Sequence, residues 1–193
     1  MPTSNNNAAN VSVGKPVVTG AVFNAVAGTS LPTSTSATLA AAFKALGYVS
    51  DDGVTNSNTP SSTEIKAWGG DTVAVPMTEK TDTFQLKLIE CTNLDVLSAV
   101  FGSGNVSGTL AAGVTVNVNS VDVPASSWVI DMILRDNTAK RIVIPSGKIS
   151  EIGDVVYKDD EVIGYDITIN CLPDSDGNTH YEYLKAAAAS GTT

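Results

Sequence analysis

The chain has 193 residues, with 11 Lys+Arg against 20 Asp+Glu, a formal net charge of −9 and a pI near 4.4. That acidity argues against a nucleic-acid binder that needs a basic footprint, and against stable docking on an anionic membrane. The length fits one domain with arms, 42% hydrophobic content excludes a wholly disordered polymer, and 21 Thr, 19 Ser, 14 Asn and 23 Val point to a mainly β fold with polar loops.

Along the chain, residues 1–50 carry only Lys15 and Lys44 and no acid, so residues 51–193 hold 20 acids and 9 bases, a net of −11. The chain divides into an extended, low-complexity arm (1–15), one β domain (16–185) and an Ala-rich tail (186–193). The start, MPTSNNNAANVSVGK, has neither a basic n-region nor an apolar h-region. No signal peptide is visible, and synthesis in a cytosol is expected. No apolar run reaches the ~20 residues of a membrane helix.

The run VVTGAVFNAV (17–26) reads as a strand, and ATLAAAFKAL (37–46) as a short helix stopped by Gly47. Asp52-Gly53 is a strong turn pair, and TNSNTPSST (55–63) a polar loop. Alternation then becomes regular. Phe84, Leu86 and Leu88 share one face of a strand, as do Val114, Val116 and Val118. So do Trp128, Ile130, Met132 and Leu134, opposite Ser127, Asp131 and Arg135. Ile142 with Ile144, and Tyr165, Ile167, Ile169 and Cys171, complete the set, with turns at Asp136-Asn137 and Asp159-Asp160. One helix is expected: Asn93 as cap, Asp95 at the positive end, Leu94, Leu97, Val100 and Phe101 as the apolar face, and Gly102 as the stop. The sum is a mainly β fold, a β-sandwich or barrel with one flanking α-helix.

Catalytic constellations are not visible. The single histidine, His180, has no nucleophile elbow near it and reads as a surface or packing residue. One His with scattered Cys91 and Cys171 makes a poor zinc set, and the cysteines are expected to be reduced core residues rather than a disulfide or reactive thiol. Asp174–Asn178 opens like a calcium loop, but Gly177 follows Asp176 directly between strand-like runs, so a hairpin turn is expected over a weak cation site. Gly102, Gly104 and Gly108 follow a helix, the reverse of a phosphate-binding order. Asp51-Asp52 and Asp159-Asp160 read as solvated turns. No cofactor, metal or catalytic residue is assigned.

The most specific stretch is LGYVSDDGV (46–54) followed by EIKAWGGD (64–71). With TDTFQLKLIECTNLDVLSAVFG (81–102) it resembles the major tail tube proteins of long, non-contractile-tailed bacteriophages, over roughly residues 17–172. The resemblance implies a sandwich with a long loop, assembled into stacked hexameric rings with a continuous inner β-barrel. It implies as partners other copies of the chain, a tape-measure protein and tail-end proteins, with double-stranded DNA in transit and no direct membrane contact. The chain would then be a virion component, made and assembled in the host cytoplasm. A conduit for a polyanion should not adhere to it, and a chain with only two Arg fits a negative bore without specific DNA contacts. The arm or the tail is expected to touch adjacent subunits. A virion-decorating or adhesin-like β-sandwich module is the alternative class.

Ile65, Trp68, Gly69 and Gly70 form the candidate subunit interface. An apolar pair at the end of a polar excursion needs burial, either on its own sandwich or against a neighbour, and Gly69-Gly70 would allow the chain to turn back.

Overall fold

The computed structural model of the protein describes residues 6–18 and 20–187. The first five residues of the expected arm, Thr19 in the expected strand and residues 188–193 of the expected tail lie outside the described residues. The strands, in order, are β1 (Lys15–Pro16), β2 (Val22–Val26), β3 (Lys44–Ala45), β4 (Val49–Ser62), β5 (Ile65–Lys66), β6 (Thr72–Ala74) and β7 (Met77–Leu88). One helix, α1 (Leu94–Phe101), then precedes β8 (Val106–Thr109), β9 (Gly113–Val116), β10 (Ser126–Ile133), β11 (Ala139–Ile152), β12 (Tyr165–Leu172) and β13 (Tyr181–Lys185).

The main sheet runs β3-β2-β10-β11-β12-β7-β4, with β1 added to β10 and β13 to β11. Its long member, β11, serves two halves. Residues 139–147 pair with β10, while 146–152 pair with β12. The crossing point is Gly147, where an added Cβ would lie 2.7 Å from Ile169 Cγ2 and 2.8 Å from Trp128 Cδ1. Only a bare backbone lets the indole sit there, and the Trp128 Nε1–H donates to the Gly147 carbonyl at 3.1 Å.

The principal core joins both halves. Val22, Trp128, Ile130, Ile142 and Ile144 meet Phe84, Leu86, Leu88, Ile167 and Ile169, with Val96, Leu97 and Val100 of α1 closing one side. The helix follows its sequence signals: Asn93 accepts from the Asp95 N–H at 3.0 Å, and Gly102 ends it. A second, smaller core lies on the other face of β10 and β11, where Ala25, Phe43, Val129 and Val143 are buried. The face expected to be polar, with Ser127 and Asp131, is therefore covered. Ser127 Oγ donates to the Pro145 carbonyl at 2.8 Å, and Asp131 takes a two-pronged bond from Arg141 at 2.7 and 2.8 Å.

Several local expectations give way to tertiary contacts. Residues 37–46 are not a helix: they drape over the first half of the sheet, burying Phe43 and Leu46. The carbonyls of Ser34 and Ala37 accept from Arg141 at 3.0 and 2.7 Å, which holds them as a turn. Of the described residues in the run 17–26, only 22–26 are strand. Residues 55–62 are not a loop but the outer length of β4, paired with β7. Asp52-Gly53 is an irregularity inside β4 rather than a hairpin turn, because the register shifts between Val49 and Val54. Strand β9 ends at Val116, leaving Val118 exposed. Asp174–Asn178 is a tight turn, with Asp174 Oδ1 accepting from the Asp176 and Asn178 N–H groups at 2.9 Å. It joins no hairpin, however: β12 and β13 both lie along β11. Asp136 and Asn137 do form the expected turn, both at φ 56.

Candidate functional site

The sequence singled out Ile65, Trp68, Gly69 and Gly70, and the structure brings them together at the end of a long arm. Strands β4 and β7 pair from Val49–Leu88 out to Ser62–Met77. The ladder then resumes as β5 with β6, where Ile65 faces Ala74 and Lys66 faces Thr72. The chain reverses at residues 67–71. The Gly70 N–H donates to the Ala67 carbonyl at 3.0 Å, and the Ala67 N–H donates to the Asp71 carbonyl at 2.8 Å. Gly69 and Gly70 stand at φ 133 and 97, values that side chains other than glycine resist.

Trp68 sits at this reversal with a relative exposure of 107%. Ile65, Val73, Val75 and Met77 are exposed around it. The excursion therefore does not fold back onto its own sandwich. Sequence reading missed Val75 and Met77 as members of this patch, although the run VAVPM after GGD carried the signal. Together these residues make an exposed apolar cluster on a narrow ribbon.

The root of the arm is polar and closed. Asp82, only 1% exposed, lies where β7 leaves the core. Its carboxylate accepts from Asn56 Nδ2 at 2.9 Å and from Thr179 Oγ1, and His180 Nδ1 lies 2.6 Å away. The His180 ring stands edge-on to Phe84 at 5.2 Å. Burial pushes the Asp82 carboxyl up, but the hydrogen bonds from Thr179, Asn56 and His180, with His180's attraction, outweigh it and hold the group below its ordinary value. His180 is thus a packing residue that fastens the last turn to the arm.

Two other surfaces stand out. The outer face of β7, β12 and β11 presents Thr83, Gln85, Lys87, Asp166, Thr168, Asn170, Lys148 and Ser150. Both lysines are matched to acids, Lys87 to Glu161 at 3.7 Å and Lys148 to Asp122 at 2.6 Å, and Gln85 donates to Asp166. Elsewhere, residues 8–16 lie along the end of the β10–β11 hairpin. Lys15 pairs with Ile133, the Arg135 N–H donates to Ser12 Oγ at 2.7 Å, and Arg135 Nη1 donates to the Ala8 carbonyl at 3.3 Å. The expected arm is therefore held, over this length, by its own chain.

Cys91 and Cys171 are both free thiols. Burial, with the Asp82 charge a lesser cause, pushes Cys171 up to about 12, so it stays a protonated core residue at neutral pH. Among the described residues no group of three or more His, Cys, Asp or Glu is placed to hold a metal, and no helix is long and apolar enough to cross a membrane.

A mainly β fold with an exposed apolar arm tip, a charge-matched polar sheet face and sheet edges with one partner strand each fits the class of structural β subunits. The sequence matches the phage tail tube protein family over residues 4–192, and the chain belongs to that family. No individually curated protein matches it. The protein is a structural component of a phage tail tube, and so of the virion.

Proposed function

We propose that the chain assembles into stacked six-membered rings whose sheets join into a continuous inner barrel, forming the tube through which a double-stranded DNA genome leaves the virion. The observation that carries this reading is the arm: a hydrogen-bonded ribbon ending in a fully exposed Trp68, in a chain of the tail tube family. Burial of such an aromatic anchor supplies much of the energy of many protein interfaces. In this reading Ile65, Trp68, Gly69 and Gly70 form the subunit contact, with Val73, Val75 and Met77 beside them. Edges β3 and β4, each with one partner strand, are the places where neighbouring copies continue the sheet.

The charge-matched face of β7, β12 and β11 is the wall of the bore. Its lysines are neutralised by Glu161 and Asp122, so passing phosphates meet no free cationic stripe. The same bore would hold a tape-measure protein before the genome passes, and tail-end proteins would close the stack.

Negative-stain microscopy and sedimentation of the concentrated protein test the reading. Rings or tubes are expected. Trp68→Ala should keep the parental circular dichroism while raising the concentration needed for tubes at least thirtyfold, the effect of losing a hot-spot anchor. A parent that stays monomeric under all conditions sinks the tube, and a variant that assembles like the parent removes Trp68 from the interface.

A further inference from the structure

We infer that the arm tip of one copy docks into the groove between the N-terminal segment and the β10–β11 hairpin of a second copy. This rests on the tail tube reading and names the surface that receives the arm. The groove is an open depression of about 640 Å³. Its lining includes the apolar Val11, Val13, Ile133 and Leu134 and the charged Lys15, Arg135 and Asp136. Val11 and Val13 are about 70% exposed, so none of the described residues of its own chain fills the groove.

The tip is equally unpartnered. Its side chains lie in solvent, so it does not fill the groove of its own copy, and the occupant is a second copy of the same chain. Charge makes the choice among receiving surfaces. On the tip, Glu64 is matched to Lys66 at 3.7 Å and accepts from Thr72, which leaves Asp71 as the free acid. At the groove, Arg135 is matched to Asp136 at 3.8 Å and donates to the Ala8 carbonyl, which leaves Lys15 as the free base. Among the described residues neither Asp71 nor Lys15 has an ion-pair partner.

A second apolar depression lies beside the end of α1. It holds Val118 and Val121 and is flanked by Asp122, which Lys148 matches, and by Glu151, which has no ion-pair partner among the described residues. An arriving Asp71 would meet like charge there, which counts against that site. Insertion of Trp68 between Val13 and Ile133, with Asp71 beside Lys15, satisfies both the apolar and the charged members of the tip. Free tip and free groove on each copy make a head-to-tail contact, which propagates rather than closing as a dimer.

A charge exchange and a cross-link test the assignment together. Asp71→Lys and Lys15→Glu should each raise the concentration needed for tubes about fivefold, the scale of an exposed ion pair turned to repulsion. The two combined should return it to within about twofold of the parent. Separately, copies carrying Ala67→Cys, which keep Trp68, mixed with copies carrying Val13→Cys, both in a Cys91→Ser background, should form a mixed disulfide on mild oxidation. Tubes in which either the rescue or the cross-link fails overturn the groove and leave the tube reading standing. The cross-linked pair without tubes or rings supports the groove and overturns the tube. Neither tubes nor cross-link overturns both.

Discussion

Strand β7 belongs to two regions that behave as different materials. From Thr83 to Leu88 it is part of the body, where Phe84, Leu86 and Leu88 are buried between sheet and helix. From Met77 to Thr81 it is part of the arm, and every residue is exposed. Beyond the irregularity between Val49 and Val54, the hydrogen-bonded ladder to β4 runs from Leu86 in the body into the arm in one register until Ser61. The ladder is therefore not what separates them. Apolar burial supplies most of the stability of a fold, whereas a two-stranded ribbon without a core is marginal in water. The arm is shaped by its ladder and anchored at its root, and its apolar tip is left to be covered in assembly.

The largest break in that comparison should come from the body. Phe84→Ala removes a fully buried ring that contacts His180 and is expected to cost about 3–5 kcal/mol in urea unfolding. A cost under 1 kcal/mol would mean that the sheet halves are not packed as described.

The joint should respond next. Asp82→Asn leaves Thr179, Asn56 and His180 facing a neutral group and is expected to cost about 1–3 kcal/mol. The sign of the pH effect follows from the direction of its shift. The folded-state value lies below the unfolded one, so the stabilisation is present above the ordinary carboxylate range and is lost as pH falls through the folded value. The parent should lose stability as the medium is acidified below about pH 4, and Asp82→Asn should flatten part of that slope. Identical pH profiles for parent and variant would remove Asp82 from the joint's energetics.

The smallest effect should come from the tip. Trp68→Ala is expected to change the urea midpoint of the isolated chain by less than about 0.5 kcal/mol, because the side chain touches nothing to lose. A larger loss would mean that the tip packs on its own body. The contrast with Phe84, the buried aromatic residue of the body, would then disappear.

The regular parts of the body were legible because one face of each strand is buried. Phe84-Leu86-Leu88 and Tyr165-Ile167-Ile169-Cys171 show the two-residue period directly. Helix α1 was legible through Asn93, Asp95 and Gly102, all of which act within one turn of the chain. The arm was hidden for the converse reason. Thr55–Ser62 is exposed on both faces, so nothing selects alternating apolar residues, and Pro60 is tolerated because β4 is an edge. The false helix at 37–46 shows propensity overruled: local preference for Ala-rich helix is worth tenths of a kcal/mol per residue, less than burying Phe43 and Leu46 and satisfying Arg141. Of the candidate interface, Ile65, Trp68 and the two glycines could be picked out as apolar and turn residues, but not their exposure.

By itself the sequence determined what is carried by local pattern and by composition. It specified a mainly β domain with one capped helix and an acidic charge balance, and its motifs pointed to the tail tube family that the chain belongs to. Only the tertiary structure decided which contacts between distant residues close. It placed β11 in both halves of the sheet at Gly147, buried Asp82 beside His180, and left Trp68 standing in solvent at the end of the arm. The reason is physical: periodicity records the environment of near neighbours along the chain, whereas burial depends on which remote segments arrive at the same place.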